Sequence, residues 1–197
     1  MSKAVLLSIH PKYCELISDG EKTVEVRKTR PKLETQFKCY IYCTMPKKHF
    51  SVGGGLTFSS DDLYRSASGK IKYGDSLELM CYDGCTKDNF LNGKVIGEFV
   101  CDNIDRYTDE VVNSSSLENF CGWNDFDLNR ACIHPDDLEK YADGKDLYGW
   151  HISDLVIYDK PKELGEFLAE GRQTYDCPIL TPLKRPPQSW CYVEELT

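Results

Sequence analysis

The first forty-four residues show hydrophobic patterns of two different periods. Residues 3–9 form a short apolar run that predicts a buried strand. Pro11 stands where the first turn of a helix tolerates proline, and Gly20 is a natural end for that helix. Residues 23–27 and 38–44 alternate in the way that strands do. The chain is therefore expected to begin as strand, helix, strand and strand.

After residue 44 the pattern becomes looser. Residues 46–75 contain a glycine run and a helix-cap signal, which predict an insertion with a flexible tip and one short helix. Residues 77–82 and 94–107 predict a strand pair joined by glycine-containing turns. Residues 150–158 alternate as another strand, and prolines lead into a last strand at 185–192. Short strands therefore dominate the remainder of the chain.

The helices expected in this remainder are short. The acidic sequence at residues 134–137 opens one of them, and residues 161–168 offer another. Many short strands with few strong helices predict an α+β fold, namely a small mixed β-barrel with short peripheral helices. No internal repeat or linker divides the chain, so we expect a single domain over residues 1–197 with an insertion at about 46–75.

Composition agrees with a folded globular protein. The chain has 197 residues, of which 41% are apolar and 12% aromatic. No apolar run approaches the roughly 20 residues that span a bilayer. The run Ala4–Leu7 is also shorter than the roughly 7–15-residue core of a signal peptide. We therefore expect a cytoplasmic protein that does not associate with membranes.

The net charge of −8 hides an uneven distribution. Residues 1–50 hold 10 Lys and Arg against 5 Asp and Glu, a balance of +5, whereas the other 147 residues carry −13. Bulk coating of nucleic acid is excluded by the total, because phosphate contacts need cations. A local anion site on an acidic body and an uneven scatter of solvated charges both fit this distribution.

The ten cysteines do not predict a metal site or a cofactor. Alternation places Cys39, Ile41 and Cys43 on one face of a strand, where buried thiols act as small hydrophobic side chains. Cys81 and Cys85 also have three residues between them, whereas the cysteines of zinc pairs usually have two or four residues between them. We expect reduced cysteines, no cofactor and no bound metal.

The densest candidate chemistry lies in residues 20–28, Gly-Glu-Lys-Thr-Val-Glu-Val-Arg-Lys. Alternation places Thr23, Glu25 and Arg27 together on one face of the strand, with Lys22 directly before it. Arginine can bind a phosphate or a base edge through two parallel hydrogen bonds. A carboxylate can accept an N–H from a base or act as a general base when it is desolvated.

The first strand can add to this set. If it buries its apolar residues on one face, Ser8 and His10 lie on the other, and pairing with the motif strand would bring them to Glu25 and Arg27. The alternative is an ordinary solvated strand face on which Glu25 and Arg27 neutralise each other. The residues alone leave both interpretations open.

At these residues the sequence resembles a known family. Residues 7–13, Leu-Ser-Ile-His-Pro-Lys-Tyr, and residues 20–28 resemble the ASCH domain of the PUA-like superfamily. Three later segments fit the same pattern in the same order: 95–99, 148–152 and 187–190. The resemblance implies a PUA-like β-barrel with a cleft beside the motif. It also implies a role in binding RNA or modified nucleosides.

Some ASCH members hydrolyse N4-acetylcytidine with a Lys, a nucleophilic Thr and a Glu, on the motif G-x-K-T-x-T-x-R. Lys22 and Arg27 match this pattern, but Glu25 stands at the place of the nucleophilic Thr, one alternation beyond Thr23. The resemblance does not fix the acidic partner, for which Glu98 is a candidate. A hydrolase of acylated cytidine or RNA that uses Lys22 and Glu25 as catalytic residues is therefore an alternative.

The leading hypothesis is a module that binds RNA or a nucleotide-like small molecule. Trp190 is an aromatic that either stacks a base or belongs to the core. A second alternative is a protein–protein adaptor whose surface is the acidic region 101–146. The predicted ligand-binding residues are Ser8, His10, Lys12, Thr23, Arg27, Lys28 and Trp190.

Overall fold

The computed structural model describes most of the chain. The described residues are 2–44, 50–52, 56–58, 70–73, 77–80, 91–107, 125–171 and 179–196. The chain divides into two compact units that are each discontinuous in sequence. The first comprises Met1–Glu15, Lys38–Phe99 and Leu155–Thr197, and the second comprises Leu16–Phe37 and Val100–Asp154. The predicted single domain with one insertion stays a prediction.

Strands outnumber helices among the described residues. The strands are β1 (Lys3–Ile9), β2 (Val24–Arg27), β3 (Phe37–Cys43), β4 (Phe50–Val52), β5 (Leu56–Phe58), β6 (Lys70–Tyr73), β7 (Leu77–Met80), β8 (Val95–Cys101), β9 (Ile104–Tyr107), β10 (Leu147–His151), β11 (Ser153–Lys162), β12 (Leu168–Glu170), β13 (Leu180–Pro182) and β14 (Trp190–Glu194). The helices are α1 (Pro11–Ser18), α2 (Asp125–Ala131), α3 (Pro135–Ala142) and a 3-10 turn at Leu164–Glu166. The predicted α+β class is confirmed.

The first unit is built on a five-stranded sheet of order β11-β8-β3-β1-β14. Strand β1 is parallel to β3 and antiparallel to β14. Both faces of β1 are buried, since Ala4, Val5, Leu6 and Leu7 are all 0% exposed. Its apolar run is therefore the signature of a strand with a core on each side. One core cluster consists of Ala4, Leu6, Tyr40, Tyr42, Val95, Phe167 and Val193.

The second unit contains a three-stranded antiparallel sheet of order β2-β10-β9. Residues from α2 and α3 pack on it in one cluster: Val24, Val26, Ala131, Leu138 and Leu147. Gly149 lies at the centre of the sheet, where a Cβ would meet the Tyr107 ring at 2.9 Å and Val24 Cγ1 at 3.0 Å. Glycine is needed there because two side chains already fill the space. Helix α3 begins as predicted, with His134 as N-cap.

The predicted barrel is wrong for the described residues, because none of their sheets closes. The five-stranded sheet ends at β11 and β14, and the three-stranded sheet ends at β2 and β9. Closure requires the two edge strands to pair with each other. A pattern of alternating residues predicts strands but not which edges meet, so the sequence could not distinguish open sheets from a barrel.

Two strand predictions also need correction. Strand β7 pairs with β6 rather than with residues 94–107, and those residues divide into β8 and β9 in different sheets. The strand predicted at 150–158 divides into β10 and β11, and Asp154 has φ of 47° just after the division. A left-handed residue redirects the backbone, so alternation on both sides does not mean one continuous strand.

Some predictions lie outside the described residues. The short helix expected in the insertion falls largely on residues 59–69, and Cys81 and Cys85 are also undescribed. The buried thiols on β3 are confirmed, since Cys39 and Cys43 are 0% exposed. Among the helices of the described ranges, none has the length and apolar character needed to cross a bilayer.

Candidate functional site

The motif begins at a tight turn after α1. Gly20 has φ of 76°, a conformation that favours glycine, and its N–H donates to the Ile17 carbonyl at 3.0 Å. The Lys22 N–H then donates to the Leu16 carbonyl at 2.9 Å. These bonds fold the chain back on the helix end, so Lys22 stands directly before β2.

The Lys22 ammonium is buried at the end of α2. Its Nζ donates to the Ala131 carbonyl oxygen at 2.5 Å and lies 3.4 Å from Glu25 Oε2. The residue is only 1% exposed. Desolvation lowers the pKa of Lys22, and the nearby Glu25 carboxylate opposes part of that change. A carbonyl at a helix C-terminus suits a cation because the helix dipole is negative there.

Glu25 connects the two cations of the motif. Its Oε1 lies 2.9 Å from Arg27 Nη2, and its Oε2 lies near Lys22. Glu25 is 6% exposed and Arg27 is 7% exposed. We call Lys22, Glu25 and Arg27 the ionic network. The predicted grouping of Glu25 and Arg27 on one face is observed, but that face is buried rather than open to solvent.

Aromatic residues of β10 lie across from the ionic network. The register places Trp150 opposite Glu25 and Tyr148 opposite Arg27. Trp150 is 0% exposed and meets the Phe37 ring edge-to-face, with centroids 5.9 Å apart. Residues directly opposite in an antiparallel pair share a face of the sheet. Trp150 is therefore a core residue beside the network and offers no open ring for stacking.

Such a network is costly to bury. Removing charges from water costs several kcal/mol per ion, which mutual attraction offsets only in part. Clusters of desolvated charges therefore occur more often at functional sites than in ordinary cores. The arrangement can place a low-pKa amine, a carboxylate and a guanidinium around one small group, which suits either ligand recognition or proton transfer.

Thr23 is fully engaged by neighbouring groups. Its N–H donates to the Arg130 carbonyl at 2.9 Å, and its carbonyl accepts the Ile152 N–H at 3.0 Å. Its hydroxyl oxygen accepts Arg130 Nε at 3.2 Å. Arg130 thus contacts Thr23, and Ala131 contacts Lys22. The end of α2 therefore holds the start of the motif in place. We call these contacts the α2 clamp.

A second polar chain extends from the α2 clamp. Arg130 Nη2 lies 3.5 Å from His151 Nδ1, and His151 Nε2 lies 2.6 Å from Asp105 Oδ2. A guanidinium only donates, so Nδ1 is the acceptor in this contact. His151 therefore links Arg130 of α2 to Asp105 of β9.

No pattern in the sequence predicts Arg130 or Asp105 as neighbours of the motif. Arg130 is more than 100 positions from Thr23, and Asp105 is 46 positions from His151. The register of β10 and β9 brings Asp105 near His151, and the packing of the end of α2 on β2 brings Arg130 to Thr23. Contacts of this kind follow from strand pairing, which alternation does not specify.

Three of the predicted ligand-binding residues belong to the first unit: Ser8, His10 and Lys12. The pairing of β1 with β2 that was expected to bring Ser8 and His10 to the motif is not formed. Strand β1 pairs with β3 and β14, whereas β2 pairs with β10. The Ser8 hydroxyl donates to the Pro187 carbonyl at 2.7 Å. His10 is exposed, and its carbonyl accepts N–H groups of the first turn of α1. Lys12 is exposed, with its Nζ 5.8 Å from the Tyr13 ring centroid.

The remaining candidates are divided between the units. Lys28 follows β2, and its Nζ lies 5.0 Å from the ring centroid of Tyr141. Trp190 is half-buried in the first unit, edge-to-face with Tyr192 at 5.3 Å. Glu98, also in the first unit, pairs with Lys38 Nζ at 3.0 Å and accepts a hydrogen bond from the Tyr158 hydroxyl.

A cavity of about 260 Å³ lies in the first unit and does not include the motif. Its lining residues are Ser2, Lys3, Leu168, Glu170, Leu180, Tyr192, Val193 and Glu194. Within the described ranges, no group of three or more His, Cys, Asp or Glu side chains is arranged to hold a metal.

Comparison with known protein families matches residues 7–50 to the ASCH domain. The match contains the whole motif and all of the ionic network. The match covers 44 of the 197 residues, so it assigns an ASCH domain to this segment. The resemblance seen in the sequence is confirmed.

The fold is similar to that of solved structures. A crystal structure of a ZmASCH mutant from Zymomonas mobilis shares the fold, at 16% identity and a TM-score of 0.51, covering 98% of this chain and 89% of that one. A crystal structure of ASCH from the same organism aligns at 15% identity and a TM-score of 0.48, covering 98% and 88%. No curated protein sequence matches this chain.

Proposed function

We propose that this protein binds RNA or a nucleotide-like ligand at the strand that carries the ionic network. One observation carries the proposal: the Glu25 carboxylate lies between an ammonium and a guanidinium, and all three groups are nearly excluded from water. A structural core could achieve the same packing with apolar side chains at lower cost. Retention of two cations and one anion is expected where they recognise a charged, hydrogen-bonding ligand.

Each group has a role that its chemistry supports. The Arg27 guanidinium can form paired hydrogen bonds with a phosphate or a base edge. Glu25 is already held by Arg27, so it can accept an N–H from a base without reorganising. Lys22 fixes Glu25 from the other side. The proposed ligand site includes Lys28, which directly follows β2 and is half-buried.

Binding of a fluorescein-labelled single-stranded octaribonucleotide, followed by anisotropy, tests this proposal. Arg27→Gln is expected to weaken binding at least tenfold, since it removes a charge-assisted contact. Lys160→Gln is the matched control, because it also removes one positive charge, from an exposed position on β11. Equal affinity of the two folded variants would contradict the proposal, as would a lack of binding by the unaltered protein.

A hydrolase is the second candidate, and the burial of Lys22 favours it. A lowered pKa makes the amine a better general base near neutral pH. In this alternative Lys22 and Glu25 handle protons while acylated cytidine or RNA is cleaved. Incubation with N4-acetylcytidine and with mixed RNAs should release product, and Lys22→Met should abolish it. Binding without product release would eliminate the hydrolase and leave the binding module.

The adaptor hypothesis also stays a prediction. Within its acidic region 101–146, residues 108–124 lie outside the described part of the chain. Retention on an immobilised basic peptide, with indifference to nucleotides, would favour an adaptor over the proposed ligand site.

A further inference from the structure

Helix α3 carries an exposed aromatic ring near the motif. Its Leu138 is buried against β2, and Tyr141 stands one helical turn later with 39% of its surface exposed. Within the described ranges, the other exposed large hydrophobic side chains are Val156 and Ile179, both in the first unit. Among the described residues of the second unit, Tyr141 is therefore the large hydrophobic side chain that is exposed.

The surroundings of Tyr141 are those of the ionic network. Its hydroxyl accepts the backbone N–H of Lys28, directly after β2. Burial of the hydroxyl raises the pKa of Tyr141, and the charge of Arg27 opposes that rise. Lys28 Nζ lies 5.0 Å from the ring centroid, within the range of a cation–π contact. The hydroxyl end is thus fixed at the end of the motif strand while part of the ring meets solvent.

We propose that Tyr141 is the stacking platform for an unpaired nucleobase, with Lys28 and Arg27 binding the phosphate attached to it. The inference rests on the proposed function and narrows it to single-stranded RNA or a free nucleotide, which share this chemistry. A ring and adjacent cations match the two parts of a nucleotide, the π-face of the base and the anionic phosphate. A duplex hides its base faces and does not fit.

Stacking on Tyr141 does not require the site to be rebuilt. The ring is anchored through its hydroxyl, so it loses little conformational freedom when a base covers it. The Lys28 ammonium is on a flexible stem and can leave the ring for a phosphate oxygen. Helix α3 itself is held by Leu138 in the core cluster. The Tyr141 ring therefore lies on a helix that packs on the sheet, and Lys28 directly follows a strand of that sheet.

Substitutions at Tyr141 separate stacking from simple packing. Tyr141→Phe and Tyr141→Trp keep a π-face, whereas Tyr141→Leu keeps an apolar side chain without one. The probes are a fluorescein-labelled octa-adenylate strand, the same strand annealed to its complement, and AMP as competitor. Thermal unfolding confirms that each variant is folded, and the Phe and Trp variants carry the comparison should the Leu variant unfold.

We expect Tyr141→Leu to weaken octa-adenylate binding about tenfold, in line with the loss of one stacked base. Tyr141→Phe should stay within about threefold of the unaltered protein, Tyr141→Trp should bind at least as tightly, and the duplex should bind at least tenfold more weakly. Displacement of the strand by AMP would identify a free nucleotide as sufficient, and failure of AMP would assign the site to an RNA strand.

The outcomes distinguish this inference from the proposed function beneath it. If Arg27→Gln weakens binding but Tyr141→Leu does not, the stacking proposal is wrong and the ionic network still binds RNA. If the Leu variant is unfolded, a lower affinity of Tyr141→Trp leads to the same conclusion. If the unaltered protein binds neither probe, both proposals fail. Lys28→Gln supplies an independent readout, because loss of one phosphate contact should make the slope of log affinity against log salt shallower by about 0.7. An unchanged slope would remove Lys28 from the site.

Discussion

Glu25 is the residue on which the ionic network depends, because its two oxygens contact Lys22 and Arg27. Glu25→Gln keeps the shape but removes the negative charge, so two buried cations lose their shared carboxylate. We expect a loss of about 3 kcal/mol in the free energy of unfolding, measured by urea denaturation. Glu170→Gln at the exposed pair with Lys3 is the control and should change stability much less. Equal effects would mean that burial adds nothing to the network.

Because the amine of Lys22 is buried, the free energy of unfolding is expected to change with pH in the alkaline range. Its folded pKa is lowered from the ordinary 10.5, so the unfolded state binds more protons between the two values. Below the lowered pKa, the buried ammonium therefore reduces the free energy of unfolding. This loss of stability disappears as pH rises to 10.5, because the amine is then buried in its neutral form. Lys22→Met should consequently gain stability relative to the unaltered protein at pH 7, and this difference should shrink by pH 11. A difference that stays constant with pH would contradict the desolvation of Lys22.

At the scale of elements, the α2 clamp determines where the motif strand starts. Arg130→Met removes the bond to the Thr23 hydroxyl and the contact with His151, and leaves the backbone bonds in place. We expect amide hydrogen exchange at Thr23 and Ile152 to accelerate about five- to tenfold, as for the loss of about one net hydrogen bond. Exchange in β1 should not change, which separates local loosening from global destabilisation. Unchanged exchange at Thr23 would show that the side chain of Arg130 does not support the motif.

Local signals predicted most of the individual elements. Strand β1, helix α1 with its glycine end, and the start of α3 at His134 lie where proline, glycine and alternation place them. The pairing of strands could not be obtained in this way, because the partners of β2 and β1 are remote in sequence. The expected meeting of Ser8 and Glu25 depended on one such pairing and failed with it. The sequence therefore predicted the candidate-site residues that lie within the motif. It did not predict their neighbours on other elements, which are Arg130 on α2, Tyr141 on α3 and Asp105 on β9.

At the scale of the whole molecule, net charge restricts the RNA binding that we propose. The chain carries −8, with +5 over residues 1–50. An acidic body tolerates a local site but repels a long strand along its surface. We expect contacts with two or three phosphates, and hence a slope of log affinity against log salt of about −2 for single-stranded RNA. A slope steeper than about −5 would require an extended basic track and contradict a local site.

The central proposal is that the ionic network marks the ligand site of this protein. The most direct test is an NMR titration of the isotope-labelled chain with single-stranded octa-adenylate, because it locates binding without any substitution. We predict that the amide signals of residues 22–28 and of Tyr141 shift progressively and saturably. Shifts confined to the first unit, or no shift at RNA concentrations up to about 1 mM, the range of weak binding, would contradict the claim.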